Sequence, residues 1–236
     1  MTSRMPRRRR LYLMRHGSVD YFEPDGTPVN PERVPLNPDG IRQADAAGAL
    51  FLQSGIRFDR VVVSGLPRTV QTAQRVLSAS NQHIELQIEP ALEEIRGGRL
   101  ADIPPDQIEQ AFLGAFTSGP DVERHRFING ESIGELLDRA LPAFERCCEA
   151  PGWQTMLMVL HGGVNRALIS TSLAGQRSFF GRMEQQPACI NVLEIGTQEN
   201  VVRAINLAPT QWLQANERYT TMEKLLAQYL VGNQSR

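Results

Sequence analysis

Residues 10–17 read RLYLMRHG. Leu11 to Met14 form a short apolar run, and it ends abruptly on an arginine, a histidine and a glycine. A run of that length reads as a buried strand. Its closing residues are unusual, because two cationic side chains beside a flexible residue suit the holding of an anion. The pattern recurs. QTMLMVLHGG (154–163) is a second apolar strand, ending on His161-Gly162-Gly163, and FDRVVVSG (58–65) is a β-branched strand that leads through Ser64-Gly65 towards Arg68.

Helical patterns alternate with these strands. In PDGIRQADAAGALFLQSG (38–55), Ile41, Ala44, Ala47, Leu50 and Phe51 recur at helical spacing before Gly55. LPRTVQTAQRVLSAS (66–80) reads as a helix with Pro67 in its first turn. IELQIEP (84–90) alternates like a strand. A Pro-rich loop containing Pro24, Pro28, Pro31 and Pro35 follows the first strand, and residues 96–130 are irregular apart from a short helix at 105–117. ESIGELLDRALPAFERCCEA (131–150) predicts a helix interrupted or kinked near Pro142. VNRALISTSLAG (164–175) predicts another helix, ACINVLEIG and ENVVRAINLA a hairpin around TQEN, and residues 217–231 an amphipathic tail. Strands alternating with long crossovers predict an α/β fold, an open and mostly parallel sheet covered by helices. In such sheets ligands sit outside the carboxyl ends of the strands.

Composition narrows the class. The chain has 236 residues, 41% hydrophobic and 22% charged, with a formal net charge of −1. That is ordinary for a globular chain and offers no global field for nucleic acid or an anionic membrane. Aromatic content of 6% gives little for base stacking. Cys147, Cys148 and Cys189 make a poor disulfide framework and contain no CxxC. They suit a reducing, cytoplasmic setting as small buried hydrophobes. The basic start MTSRMPRRRR lacks a following apolar stretch of signal-peptide length. It is expected to be a disordered tail over residues 1–9, ahead of one domain over 10–236. No apolar run reaches the roughly 18 residues of a membrane helix.

If the three strands are parallel neighbours, Arg15, His16, Arg68 and His161 meet at one edge. Two guanidiniums and two imidazoles together call for a counter-charge. A phosphoryl group supplies it, and the planar fork of arginine matches its oxygens. Helices opening after Ser64-Gly65 and after His161-Gly162 add amides directed at that anion.

Taken in order, LMRHG (13–17), SGLPRTVQTA (64–73), LEEI (92–95) and VLHGGVNRAL (159–168) resemble the signatures of the histidine phosphatase superfamily, also called the phosphoglycerate mutase-like family. The resemblance spans about residues 10 to 206. It implies a three-layer α/β/α sandwich, a phosphohistidine intermediate, and neither metal nor other cofactor. His16 matches the nucleophile, Arg15 and Arg68 the phosphate clamps, with Gly17 beside them, and His161 the second histidine, which donates to a phosphoryl oxygen. The general acid falls on the second residue after a leucine, so Leu92 points to Glu94, with Glu93 the competing choice. His83 and His125 fall outside the motifs and read as structural, although His125 could join Arg124 and Arg126 in a substrate-covering segment over about 96–130. Ser18 is a minor candidate, and Asn165 and Arg166 belong on the helix after His161.

Two departures bear on activity. Many members carry an asparagine six residues after the nucleophile; here that position is Phe22, and Asn30 or Asn37 are the available substitutes. The usual G-x-W-E-G after the acid is replaced by GGRLADI (97–103). The extra clamps and longer middle segment of the mutase branch are absent. Hydrolysis of a phosphate monoester is the leading expectation, phosphoglycerate mutase-type transfer the second, and a non-catalytic phospho-ligand-binding protein the third. The expected partner is a phosphorylated small molecule, with no nucleic acid and no membrane; the hairpin and tail leave room for a homodimer.

Overall fold

The computed structural model describes residues 7–23, 26–117, 119–215 and 217–234, the last four as backbone only. Its elements are β1 (Arg9–Arg15), α1 (Pro38–Gln53), β2 (Arg60–Val63), α2 (Pro67–Ala79), β3 (Leu86–Ile88), α3 (Ile108–Leu113), α4 (Ile133–Glu149), β4 (Thr155–Leu160), α5 (Gly162–Ala174), β5 (Ile190–Ile195), β6 (Asn200–Leu207) and α6 (Thr221–Gln234). The strands form one sheet in the order β3-β2-β4-β1-β5-β6. β3, β2, β4 and β1 run parallel, and the β5–β6 hairpin joins β1 antiparallel.

Strand alternation builds the layers. Leu11, Leu13, Val62, Met156, Met158 and Leu160 share one face with Leu136, Leu137 and Ala140 of α4 and Val164, Ala167 and Leu168 of α5. Tyr12, Met14, Val61, Val63, Leu157 and Val159 turn to the other face, against Ala44, Ala47 and Phe51 of α1 and Ala73, Val76 and Leu77 of α2. Successive side chains point to opposite faces, so the central strands are buried on both sides, and their sequences are continuously apolar for that reason. The result is the α/β/α sandwich. A third, smaller cluster joins Ile103, Ile108, Phe112 and Ile128 to Leu226 of α6, with Phe22 and Tyr229 packed against it.

Several elements differ from their sequence expectations. α4 is continuous through Pro142, not interrupted there. Pro142 lies on the exposed face, where water can satisfy the carbonyl its ring leaves unpaired. A capping box between Ser132 and Glu135 starts this helix. The strand expected over 84–90 shrinks to three residues at the sheet edge, with Ile88 exposed. The helix expected at 105–117 is six residues of α3 between 3₁₀ turns at 105–107 and 114–116. Arg9, expected in the tail, is the first residue of β1. Its guanidinium stacks 4.1 Å from the centroid of the Trp153 ring and donates to the carbonyls of Ala150 (3.0 Å) and Cys148. Residues 1–6 lie outside the described residues. Among the described residues no helix is long and apolar enough to cross a membrane.

One close approach fixes the end of β1. A Cβ on Gly17 would lie 2.5 Å from Gly40 O, and one on Gly40 would lie 2.2 Å from Ser18 O. The first turn of α1, capped by Asn37 Oδ1 on Gly40 N (2.9 Å), therefore packs backbone to backbone on the turn after His16. Gly40→Ala is expected to cost about 1–3 kcal/mol, as overpacking of a tight site does, and to lower the urea midpoint at unchanged m. An unaltered midpoint would show that this contact is loose.

Candidate active site

β1 and β4 pair with Arg15 opposite Leu160, and His16 N donates to Leu160 O at 2.9 Å. The residues after each strand, His16 and His161, therefore emerge side by side. Their ring centroids are 5.3 Å apart in an edge-to-face arrangement. β2 pairs with β4 on its other side, which puts Ser64 at the same edge, 2.8 Å from His161 Nε2. Arg68 follows on the first turn of α2. The structure thus brings together Arg15, His16, Arg68 and His161, each at most 8% exposed.

Their hydrogen bonds leave a common remainder. His16 Nδ1 lies 2.7 Å from Gly17 O. A carbonyl only accepts, so Nδ1 carries the proton and Nε2 holds the free lone pair. Arg15 Nη1 donates to Gln185 O (2.5 Å) and Thr221 Oγ1 (3.0 Å), and Arg68 Nη1 donates to Pro31 O (2.5 Å). Arg15 Nε, Arg68 Nε and His161 Nδ1 are buried without a hydrogen-bond partner among the described residues. Buried polar nitrogens are normally paired. Three orphans on residues that meet at one strand edge mark a place built for acceptor atoms.

Both imidazoles are held well below the ordinary histidine range. Burial is the main cause for each, followed by the charge of Arg68; Arg15 adds to both, and the neighbouring His16 to His161. Each is therefore neutral near pH 7. Tyr21 lies with its ring centroid 5.8 Å from Arg68 Cζ. Burial raises its phenol, against the pull of Arg68 and Arg15, so it too stays neutral.

The two candidate carboxylates separate cleanly. Glu94 Oε1 and Oε2 each accept from Gly163 N at 3.1 Å, and Oε1 also accepts from Ile95 N at 3.0 Å. Its carboxyl thus rests on the first turn of α5, two residues beyond His161. Glu93 turns the other way, to Arg96 at 3.7 Å. Geometry favours Glu94 as the carboxylate of the site.

Other expectations are redirected. The Gly17 amide donates to Thr72 Oγ1 at 3.0 Å, so Gly17 offers the anion no donor; its carbonyl orients His16 instead. Asn37 caps α1 and donates to Asp20 (2.9 Å), and Asn30 is an exposed turn residue, so neither replaces the asparagine missing at Phe22. His125 pairs with Thr117 (3.0 Å), Arg124 with Asp121 and Arg126 with Glu135, all local contacts, and His83 is exposed. Arg166 is buried on α5 and tied to Met183 O and Glu184. Cys148 and Cys189 are buried, their thiols pushed up to about 12 chiefly by burial, which makes them unreactive. Sequence reasoning missed Tyr21 and Thr221, which carry no local signal, and the contact of Ser64 with His161, which its strand-end position could have suggested.

Comparison with known proteins agrees with this architecture. The family model of the histidine phosphatase superfamily (branch 1) matches residues 11–208. A probable phosphoglycerate mutase, GpmB, of Yersinia pestis is 31% identical over 166 residues, covering 69% of this chain and 74% of that protein. The structure of an alpha-ribazole phosphatase from Shigella flexneri superimposes with a TM-score of 0.66 at 26% identity, over 84% of this chain and 96% of that one. A phosphoglycerate mutase of Bacillus anthracis superimposes at 0.65 with 18% identity, over 90% and 98%; this last likeness is one of fold.

The neutral imidazoles have a consequence for stability. The unfolded chain protonates His16 and His161 near the ordinary value of 6.5, while the fold keeps both neutral to lower pH. Below about pH 6.5 the unfolded state binds more protons, so stability falls as pH falls. The melting temperature of a His16→Gln, His161→Gln double variant is expected to decline less steeply than that of the parent between pH 6.5 and 5. Parallel declines would show that the imidazoles are not held neutral.

Proposed function

The chain belongs to the histidine phosphatase superfamily (branch 1), and from that premise we propose that it hydrolyses a phosphate monoester through a phosphohistidine on His16. One observation carries the reading. Arg15 Nε, Arg68 Nε and His161 Nδ1 are buried nitrogens without partners among the described residues, gathered around an imidazole whose Nε2 is a free nucleophile.

The residues take the following roles. Arg15 and Arg68 bind phosphoryl oxygens, where most stabilisation of phosphoryl transfer arises. On this reading Ser64 turns its hydroxyl hydrogen bond from Thr69 to His161 Nε2, so that Nδ1 holds the ring proton and donates to a third oxygen. His16 Nε2 attacks phosphorus while the bond to the ester oxygen breaks. Glu94, in its acid form, gives its proton to that oxygen. In the second step Glu94 takes a proton from water, the hydroxyl oxygen attacks phosphorus, and the N–P bond breaks to return neutral His16. Covalent transfer divides one difficult displacement into two easier ones. The proposal includes no metal, because the arginines supply the positive charge.

The substrate is a small phosphorylated molecule, in line with the likeness to an alpha-ribazole phosphatase at 26% identity. The 31% identity to a probable phosphoglycerate mutase favours mutase-type transfer as the second reading. In that case the phosphohistidine passes its phosphoryl group to a second substrate hydroxyl instead of water.

A panel of phosphate monoesters, p-nitrophenyl phosphate among them, should release phosphate in the presence of EDTA. His16→Ala should lower the rate by at least about 10³-fold, as loss of a covalent nucleophile does. Near-parental activity in His16→Ala refutes the nucleophile, and bisphosphoglycerate-dependent interconversion of phosphoglycerates without net phosphate release establishes the mutase instead.

A further inference from the structure

Glu94 sits on a stretch that belongs to neither the sheet nor a helix, yet its carboxyl must be placed as accurately as His16. The support comes from one side chain on α4. Arg139 Nη1 donates to the carbonyls of Ala91 (2.9 Å) and Glu93 (2.7 Å). Its Nη2 donates to Glu94 O (3.0 Å) and Glu131 Oε2 (2.7 Å), and its Nε donates to Glu131 Oε1 (2.7 Å). These are all five N–H groups a guanidinium possesses.

Glu131 closes the arrangement from the other side. Its Oε2 accepts from Arg96 N at 2.9 Å, and its own amide donates to Arg96 O at 2.8 Å. The pair is largely buried, with 16% of the Arg139 side chain and 9% of the Glu131 side chain exposed. Burial, the largest single influence, would raise the Glu131 carboxyl, but the hydrogen bonds from Arg139 and the Arg96 amide, with the charges of both arginines, together outweigh it and hold the group below the ordinary carboxylate range. Residues 91–96 are thus clamped at Ala91, Glu93, Glu94 and Arg96 by Arg139 of α4 and by Glu131, which lies just before that helix, while the Glu94 carboxyl is aimed at Gly163 N.

We propose that Arg139 is a positioning residue for the general acid. It makes no contact with the phosphoryl group; it sets where the Glu94 backbone stands, and hence whether the carboxyl reaches the leaving oxygen. The inference rests on the reading of Glu94 as the acid. A lysine at this position keeps the charge but has three donors on one nitrogen, so it cannot hold three carbonyls and a bidentate carboxylate together.

The test uses kcat/KM for two monoesters, 2,4-dinitrophenyl phosphate, whose leaving group needs no proton, and phenyl phosphate, whose leaving group does. Arg139→Lys should lose about 10- to 100-fold on phenyl phosphate, the scale of a misplaced catalytic group, and less than about threefold on 2,4-dinitrophenyl phosphate. In a Glu94→Gln background the same change should add no further loss on phenyl phosphate, because both act through one carboxyl. Glu131→Gln, which keeps the volume of the clamp, should give the same leaving-group pattern with smaller amplitude, and serves where Arg139→Lys folds poorly. Equal losses on both esters, or additive losses in the double variant, overturn the inference while leaving the acid intact. An even loss on both esters in Glu94→Gln itself overturns the acid assignment, and this inference with it.

Discussion

The parallel pairing of β1 with β4 is the constraint on which the site depends. Arg15 lies opposite Leu160 in that ladder, so the two residues that follow the strands, His16 and His161, are neighbours by register. A slip of β1 by one residue would turn Leu11 and Leu13 away from α4 and α5 and would also part the two imidazoles. The hydrophobic pattern that fills both faces of the sheet therefore sets the spacing of the reactive groups. Packing and chemistry share one specification: the core cannot form in the correct register without assembling the histidines.

That assembly carries an electrostatic cost. Two guanidiniums and two imidazoles lie almost wholly buried at the strand ends. The fold limits the cost by keeping both imidazoles neutral and by pairing one nitrogen of each arginine with oxygen acceptors, from Gln185 and Thr221 for Arg15 and from Pro31 for Arg68. Among the described residues the inner nitrogens have no partner. Sites that leave buried donors unsatisfied gain most from a ligand that satisfies them, and a phosphoryl group brings both the acceptors and the charge.

Legibility in the sequence follows the source of each position. β1, β2 and β4 were legible because strands buried on both faces must be continuously apolar, and the strand-end residues Arg15, His16, Ser64 and His161 came with them. Arg68 followed because the helix after β2 announces itself through Pro67. Glu94 could be named only through the resemblance to a family, since residues 91–96 have no periodicity of their own. Arg139 and Thr221 were invisible because each reaches the site or its support from a distant part of the chain, and Tyr21, five residues after His16, because nothing local marks its contact with Arg68. Pro142 does not interrupt α4: it lies on the exposed face, where water can satisfy the carbonyl its ring leaves unpaired.

The inner and outer supports of the site therefore have different origins. His16, His161 and Ser64 hang from the sheet, whose register admits no adjustment. The outer nitrogen of Arg15 is held by Thr221 at the start of α6, that of Arg68 by Pro31 in the Pro-rich loop, and the Glu94 stretch by Arg139 on α4. α6 and Phe22 of that loop also pack into the same small cluster with residues of the 100–128 region. On the proposed reading, the atoms that attack and bind phosphorus are fixed by the core, and the groups that meet the rest of the substrate come from segments outside it. Changes in those segments can alter which ester is accepted and leave the displacement at phosphorus untouched. Arg139 is the exception, because it ties a reacting group to a core helix from outside the sheet, and the proton transfer is then the step most sensitive to how the periphery packs.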